Sequence, residues 1–104
     1  MARPRLCRRI RFNPHITYFK PAGIRMIDLK ESIIGFDEFE VVRLKDLEGL
    51  EQEEAAKKMK ISRPTFQRLL ICARKKLADA IVHGKAIRIE GGNYKFIKFK
   101  RSIH

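Results

Sequence analysis

The stretch from Gln52 to Ile71, QEEAAKKMKISRPTFQRLLI, constrains the chain more than any other. It reads as two amphipathic halves with a break between them. That is the pattern of a helix-turn-helix, in which a short helix, a tight turn and a second helix pack steeply across one another. Ala56 is small enough to sit where the helices cross, with Ala55 beside it. Ala55, Met59, Ile61, Phe66 and Leu69 fall where a shared core needs apolar residues. Ser62 is placed to cap the second helix, because its hydroxyl can accept a bond from an otherwise orphan backbone N–H. Pro64 follows within the first turn, where a missing N–H does no harm. Lys60 holds the turn position at which a positive φ favours glycine, a departure costing about 1 kcal/mol.

The remaining positions at the start of the second helix point away from that core: Ser62, Arg63, Pro64, Gln67, Arg68 and Ile71, with Thr65 at the margin. Arg and Gln at such a helix end can read base edges in a major groove. Arg63 and Gln67 are therefore the expected base readers, and Thr65, Arg68, Arg74 and Lys75 the expected backbone contacts. The helix is expected to continue to about Val82. Phe66, Leu69, Leu70, Ala73, Leu77, Ala80 and Ile81 form its apolar stripe, Arg74, Lys75 and Lys76 suit phosphates, and Gly84 ends it.

The charge supports a polyanionic partner. The chain has 104 residues and a formal charge of +12, and such an excess favours nucleic acid. Its distribution says more. Residues 1–25 hold seven Lys or Arg and no acid, and residues 26–54 hold ten of the twelve acids. Residues 55–104 hold fourteen basic residues and two acids. A chain sorted this way can present a cationic face to nucleic acid and an anionic face elsewhere. Its length allows one domain with a small core, so a partner subunit is a natural source of stability and a homodimer is expected.

Upstream, Arg8–Phe12 reads either as a phosphate-following arm or as a strand with Ile10 and Phe12 on one face. His15–Lys20 reads as a short strand ended by Pro21-Ala22-Gly23. Tyr18 and Phe19 suit core packing better than base stacking. Residues 24–34 read as a loop with a possible turn of helix. Asp37 is the expected N-cap of a helix running to about Glu48, with Glu40 completing the cap and Phe36 stapling onto Val41. Its acids, Asp37, Glu38, Glu40, Asp46 and Glu48, are expected at rims and ends, away from DNA. Downstream, Ala86–Glu90 and Tyr94–Phe96 flank Gly91-Gly92-Asn93, a hairpin signal. That hairpin can serve as a basic wing, or it can pair with the N-terminal strands or a second subunit.

No catalytic constellation stands out, and no P-loop or GxSxG is present. The protein is expected not to be an enzyme and to need no cofactor. His15, His83 and His104 are scattered, and with Cys7 and Cys72 they match no zinc spacing. Cys7 lies among arginines that favour a thiolate, whereas Cys72 is expected to fill a small apolar place in its helix. No apolar run approaches membrane-spanning length, and MARPRLCRRIRF lacks the apolar stretch of a signal peptide. The expected location is the cytoplasm.

CRRIRF, TYFKPAG, DEFEVVRLKDLEGL, QEEAAKKM, SRPTF and GKAIRIEGG occur here in that order. The set resembles a family of small predicted prokaryotic DNA-binding proteins of unassigned cellular role. Its helix-turn-helix is similar to region four of bacterial sigma factors. The resemblance covers residues 1 to about 92, departing at Glu51, where Ser or Thr commonly caps the helix, and at Lys60, where Gly is common. It implies transcriptional regulation through double-stranded DNA, with Ser62, Arg63, Thr65, Gln67 and Arg68 matching the reading end.

The expected fold is mainly α. It is a helix-turn-helix three-helix core with short N-terminal strands and a wing-like C-terminal β-hairpin. The expected divisions are a basic arm and short strands over 1–35, the helix-turn-helix domain over 36–84, and a basic hairpin and tail over 85–104. A basic RNA-binding or ribosome-associated protein, or a module docking on RNA polymerase through the acidic helix, are the alternatives.

Overall fold

The computed structural model describes residues 8–92 and 94–96. In chain order its strands and helices are β1 (Arg9–Ile10), β2 (Tyr18–Phe19), β3 (Glu31–Ile34), α1 (Phe36–Val42), α2 (Gln52–Met59), α3 (Arg63–His83), β4 (Ala86–Ile89) and β5 (Lys95–Phe96). The fold is thus mixed α/β, with three helices beside a small three-stranded sheet among the described residues.

The core expected from the sequence is present. Ala55, Ala56 and Met59 of α2 pack with Phe66 and Leu70 of α3, and Val41 and Leu44 close the cluster from α1 and the turn after it. Ile61 and Leu69 lie at its edge. Apolar spacing at three and four residues produces this arrangement, since it brings each helix's bulky side chains to one face. The α3 stripe stops short of its expected end: Ile81 is 77% exposed, because the chain leaves α3 for β4 and nothing among the described residues packs over that side.

The sheet departs from expectation. Among the described residues, β4 and β5 do not pair with each other as a hairpin. The strand β4 sits in the centre of the order β2-β4-β3, antiparallel to β2 and parallel to β3, while β5 pairs in parallel with β1. Of the alternatives read for that segment, pairing with the N-terminal strands is the one observed. The supposed turn residues have another use. Gly91 and Gly92 take φ of 76° and 94°, and the Gly91 carbonyl accepts the Phe36 N–H at 2.8 Å. A Cβ on Gly92 would meet Asp37 Oδ1 at 2.5 Å. These glycines carry the chain closely past the start of α1. Residues 31–34, read as loop, are β3. Ser32 and Ile34 face inward and Ile33 outward, and the partner that makes this a strand lies near the other end of the chain.

The helix read from Asp37 begins earlier. Gly35 is the N-cap, and its N–H donates to Glu38 Oε1 at 2.9 Å. Asp37 instead accepts the Glu38 N–H and faces Arg8 at 3.4 Å. Phe36 packs on the Tyr94 ring with centroids 4.8 Å apart. After Val42 the helix widens into a π-turn over Arg43–Leu47, and Gly49 closes it at φ 75° as a C′ glycine should. The acids of α1 are not at its rim. Asp37 and Glu38 are buried, and Glu40 is 0% exposed. Glu40 accepts the Arg11 backbone N–H at 3.0 Å and both Nε and Nη2 of Arg43 at 3.0 and 2.9 Å. A buried carboxylate persists only when paired in this way.

One cluster ties the three strands together. Arg88 of β4 donates Nε and Nη2 to Glu31 of β3 at 2.9 and 2.7 Å, and the Tyr18 hydroxyl of β2 donates to the same carboxylate at 2.8 Å. The guanidinium lies 4.7 Å from the Tyr18 ring centroid. The neighbouring Phe19 ring is half exposed rather than buried.

The Arg88 and Tyr18 hydrogen bonds hold the Glu31 carboxyl well below its ordinary 4.5, at about 2. A lowered carboxyl pKa contributes stability that is complete above the unfolded value and lost as pH falls through the folded one. Urea unfolding across pH 6 to 2 is therefore expected to show the wild type losing stability between about 4.5 and about 2 more steeply than Glu31→Gln. Parallel profiles would remove Glu31 from the acid response.

Candidate nucleic-acid interface

The turn between α2 and α3 follows the backbone rules that the sequence suggested. Lys60 adopts φ 59°, ψ 44°, the left-handed conformation, and is the one non-glycine residue at positive φ among those described. The Ile61 N–H returns to the Ala56 carbonyl at 3.1 Å, closing the end of α2. Ser62 is the N-cap of α3. Its Oγ accepts the Thr65 N–H at 3.3 Å and donates to Thr65 Oγ1 at 2.9 Å. Arg68 Nη2 donates to the same Thr65 oxygen at 3.2 Å. Thr65 Oγ1 thus accepts twice and keeps its own hydrogen for a further acceptor.

Around this cap the surface is cationic. Arg63, Gln67, Arg68 and Ile71 are exposed, and the first turn of α3 has no acidic residue. Among the described residues, Arg63 and Gln67 make no side-chain hydrogen bond or ion pair. Their donors face solvent beside the partial positive charge of a helix start, which favours an anion. The acids of α2, Glu51, Glu53 and Glu54, are exposed near its opposite end and complement its dipole there.

Further along α3 the expected basic run divides. Lys75 is exposed and makes no ion pair among the described residues. Lys76 turns inward, its Nζ donating to Glu38 Oε1 at 2.8 Å, so it is not available to a phosphate. Arg74 is held by Asp46, Nε to Oδ2 at 3.1 Å and Nη2 to Oδ1 at 2.5 Å. Those hydrogen bonds keep the Asp46 carboxyl below its ordinary range. Asp46 was expected away from this surface. The π-turn changes the phase of the chain after Val42, and a count at 3.6 residues per turn misses that change.

Cys72 is exposed rather than a small core residue. Hydrogen bonding to Glu38, with partial burial, pushes its thiol up, against thiolate chemistry. Cys7 lies outside the described residues. Among the described residues no group of three or more His, Cys, Asp or Glu could hold a metal ion. No described helix is long and apolar enough to cross a membrane.

By fold and surface this is a small mixed α/β protein with an acid-free, cationic helix start standing clear of its sheet. The chain belongs to the family described as "Protein of unknown function DUF134", whose model matches residues 1–97, a little beyond the motifs quoted above. It is similar to a UPF0251 protein of Thermoanaerobacter sp., with 55% identity over 104 residues covering all of this chain and 92% of the relative. It is similar to a UPF0251 protein of Halothermothrix orenii, with 56% identity covering all of this chain and 77% of the relative. A UPF0251 protein of Dehalococcoides mccartyi is 57% identical over 95 residues, 91% of this chain and 81% of the relative. No solved structure matches the chain.

The turn geometry generates two opposed stability effects. Lys60→Gly is expected to raise stability by up to about 1 kcal/mol, since glycine adopts positive φ without Cβ strain. Ser62→Ala is expected to lower it by about 1 kcal/mol through loss of the cap. Urea midpoints of the two variants check both, and a destabilised Lys60→Gly would mean that the lysine side chain itself holds the turn.

Proposed function

We propose that α2, the turn at Lys60 and α3 form a helix-turn-helix, and that the protein is a sequence-specific binder of double-stranded DNA acting in transcriptional regulation. The observation that carries this reading is the start of α3. Arg63, Gln67 and Arg68 project from a capped, acid-free helix end whose inner face is locked against α2 and α1. An α-helix fits the major groove, Arg can take guanine O6 and N7, and Gln can take adenine N6 and N7. Arg63 and Gln67 have the residue types for base readout and no competing partner among the described residues. Thr65, Arg68 and Lys75 surround them and suit the backbone, where contacts fix register without reading sequence. The charge of +12 supports the same partner. On this reading the protein acts without catalysis, and two copies on an inverted repeat are the expected assembly.

Selection from random duplex DNA at near-physiological salt, beside an Arg63→Ala, Gln67→Ala variant, tests the reading. A defined motif is expected with the wild type and its loss with the variant, each good bidentate contact contributing about 1–3 kcal/mol of discrimination. Binding that weakens steeply with salt and enriches no motif would reduce the interface to backbone attraction. Tighter binding to structured RNA than to any duplex would replace DNA with RNA as the partner.

A further inference from the structure

The pair between Asp46 and Arg74 has a geometry that surface ion pairs commonly lack. It is side-on and two-pronged, with one carboxylate oxygen on Nε and the other on Nη2. Both side chains are partly exposed, at 38% and 52%. Asp46 reaches α3 because the π-turn over Arg43–Leu47 swings it there, and such turns recur where a helix has been adapted to a task.

Arg74 also has a defined place relative to the reading residues. It follows Gln67 by two turns and Arg63 by three, so the three side chains share one line along α3. Three turns advance the helix by about 16 Å, whereas the major groove is about 12 Å wide. With Arg63 at the base edges, Arg74 is carried to the phosphate wall of the groove. A guanidinium grips a phosphate with the same two-pronged edge that it offers a carboxylate, and Asp46 already occupies that edge.

We propose that Asp46 is a built-in phosphate surrogate for Arg74. It fills the guanidinium in the free protein and yields it to a DNA phosphate only when α3 is fully seated. This rests on the reading of α3 as the DNA-binding helix and adds a device to it. An exposed ion pair contributes little by itself, so the exchange is readily reversed. On loosely held, non-specific DNA, Arg74 stays with Asp46 and adds nothing to backbone attraction. On a cognate site the helix is deep enough for the exchange. Asp46 thereby lowers non-specific affinity and widens the ratio between specific and non-specific binding, the quantity that matters against a genome of competing sites.

A four-protein cycle tests this: wild type, Asp46→Asn, Arg74→Ala and the double variant, each titrated with a mixed-sequence duplex over a range of salt. Asp46→Asn keeps the shape and removes the charge. It is expected to bind several-fold tighter, with a log–log salt slope steeper by about 0.9, one phosphate's worth. The double variant is expected to lose both changes. A gain that persists without Arg74 would be a general charge effect and would overturn the proposal, as would no gain at all. Duplex binding by all four proteins with no coupling would defeat the surrogate alone. Failure of all four to bind any duplex would defeat the DNA reading and the surrogate with it.

Discussion

Two carboxylates of α1 set the arrangement of everything around them. Glu40 has no exposed surface, and a charge so placed must be satisfied or it destabilises the fold by several kcal/mol. It draws in the Arg11 N–H and the Arg43 fork. The segment after β1 is thereby laid across α1, where Phe12 stacks on Phe39 with centroids 6.0 Å apart. Glu38, half a turn earlier, reaches back to Gly35 and across to Lys76. Burial pushes its carboxyl up, but Lys76, the Cys72 thiol and the Gly35 N–H together hold it below its ordinary range. With Lys76 drawn inward, the opposite side of α3 must face out, and Gln67 lies on that side.

The acidic middle of the chain consequently does something other than what its sorting suggested. An anionic face remains only in part, at Glu48, Glu51, Glu53 and Glu54. Glu31, Glu38, Glu40 and Asp46 instead take Arg88, Lys76, Arg43 and Arg74 as partners. Three of those four cations come from the basic last part of the chain. Much of the charge segregation along the sequence is thus an internal pairing code. The cations left over, Arg63, Arg68 and Lys75 among them, gather along the outer side of α3.

What could be read from the sequence and what could not divide along one line, the separation of the partners. The α2–α3 unit was legible because each of its parts is encoded within a few residues: the Ser62 cap, the left-handed Lys60, the Phe66–Leu70–Ala73 stripe and the Gly84 stop. The register of β3 was not, because residues 31–34 alternate only weakly and their partner is β4. Gly91 and Gly92 carried the signature of a hairpin turn, yet they serve a close approach to Gly35 and Asp37 that no local pattern reveals. Among the surface residues, the exposure of Arg63, Gln67 and Arg68 at the start of α3 followed from helical periodicity. The role of Asp46 did not, since the π-turn shifts the count. The only local hint to the burial of Glu40 was Arg43 three residues on.

The sheet order has a consequence for how the protein comes into being. β2 and β3 are not backbone-paired with one another; each pairs only with β4, which follows α3. On a ribosome, both early strands must wait, edges open, until β4 has emerged. The α2–α3 unit, whose contacts are local, can assemble before that moment, and distant pairings are the slow ones. The last strand of that three-stranded sheet to close is therefore the central one. A nascent chain halted after α3 would hold its helices while β2 and β3 still lacked the strand that joins them, which makes the emergence of β4 the step that commits both to their places.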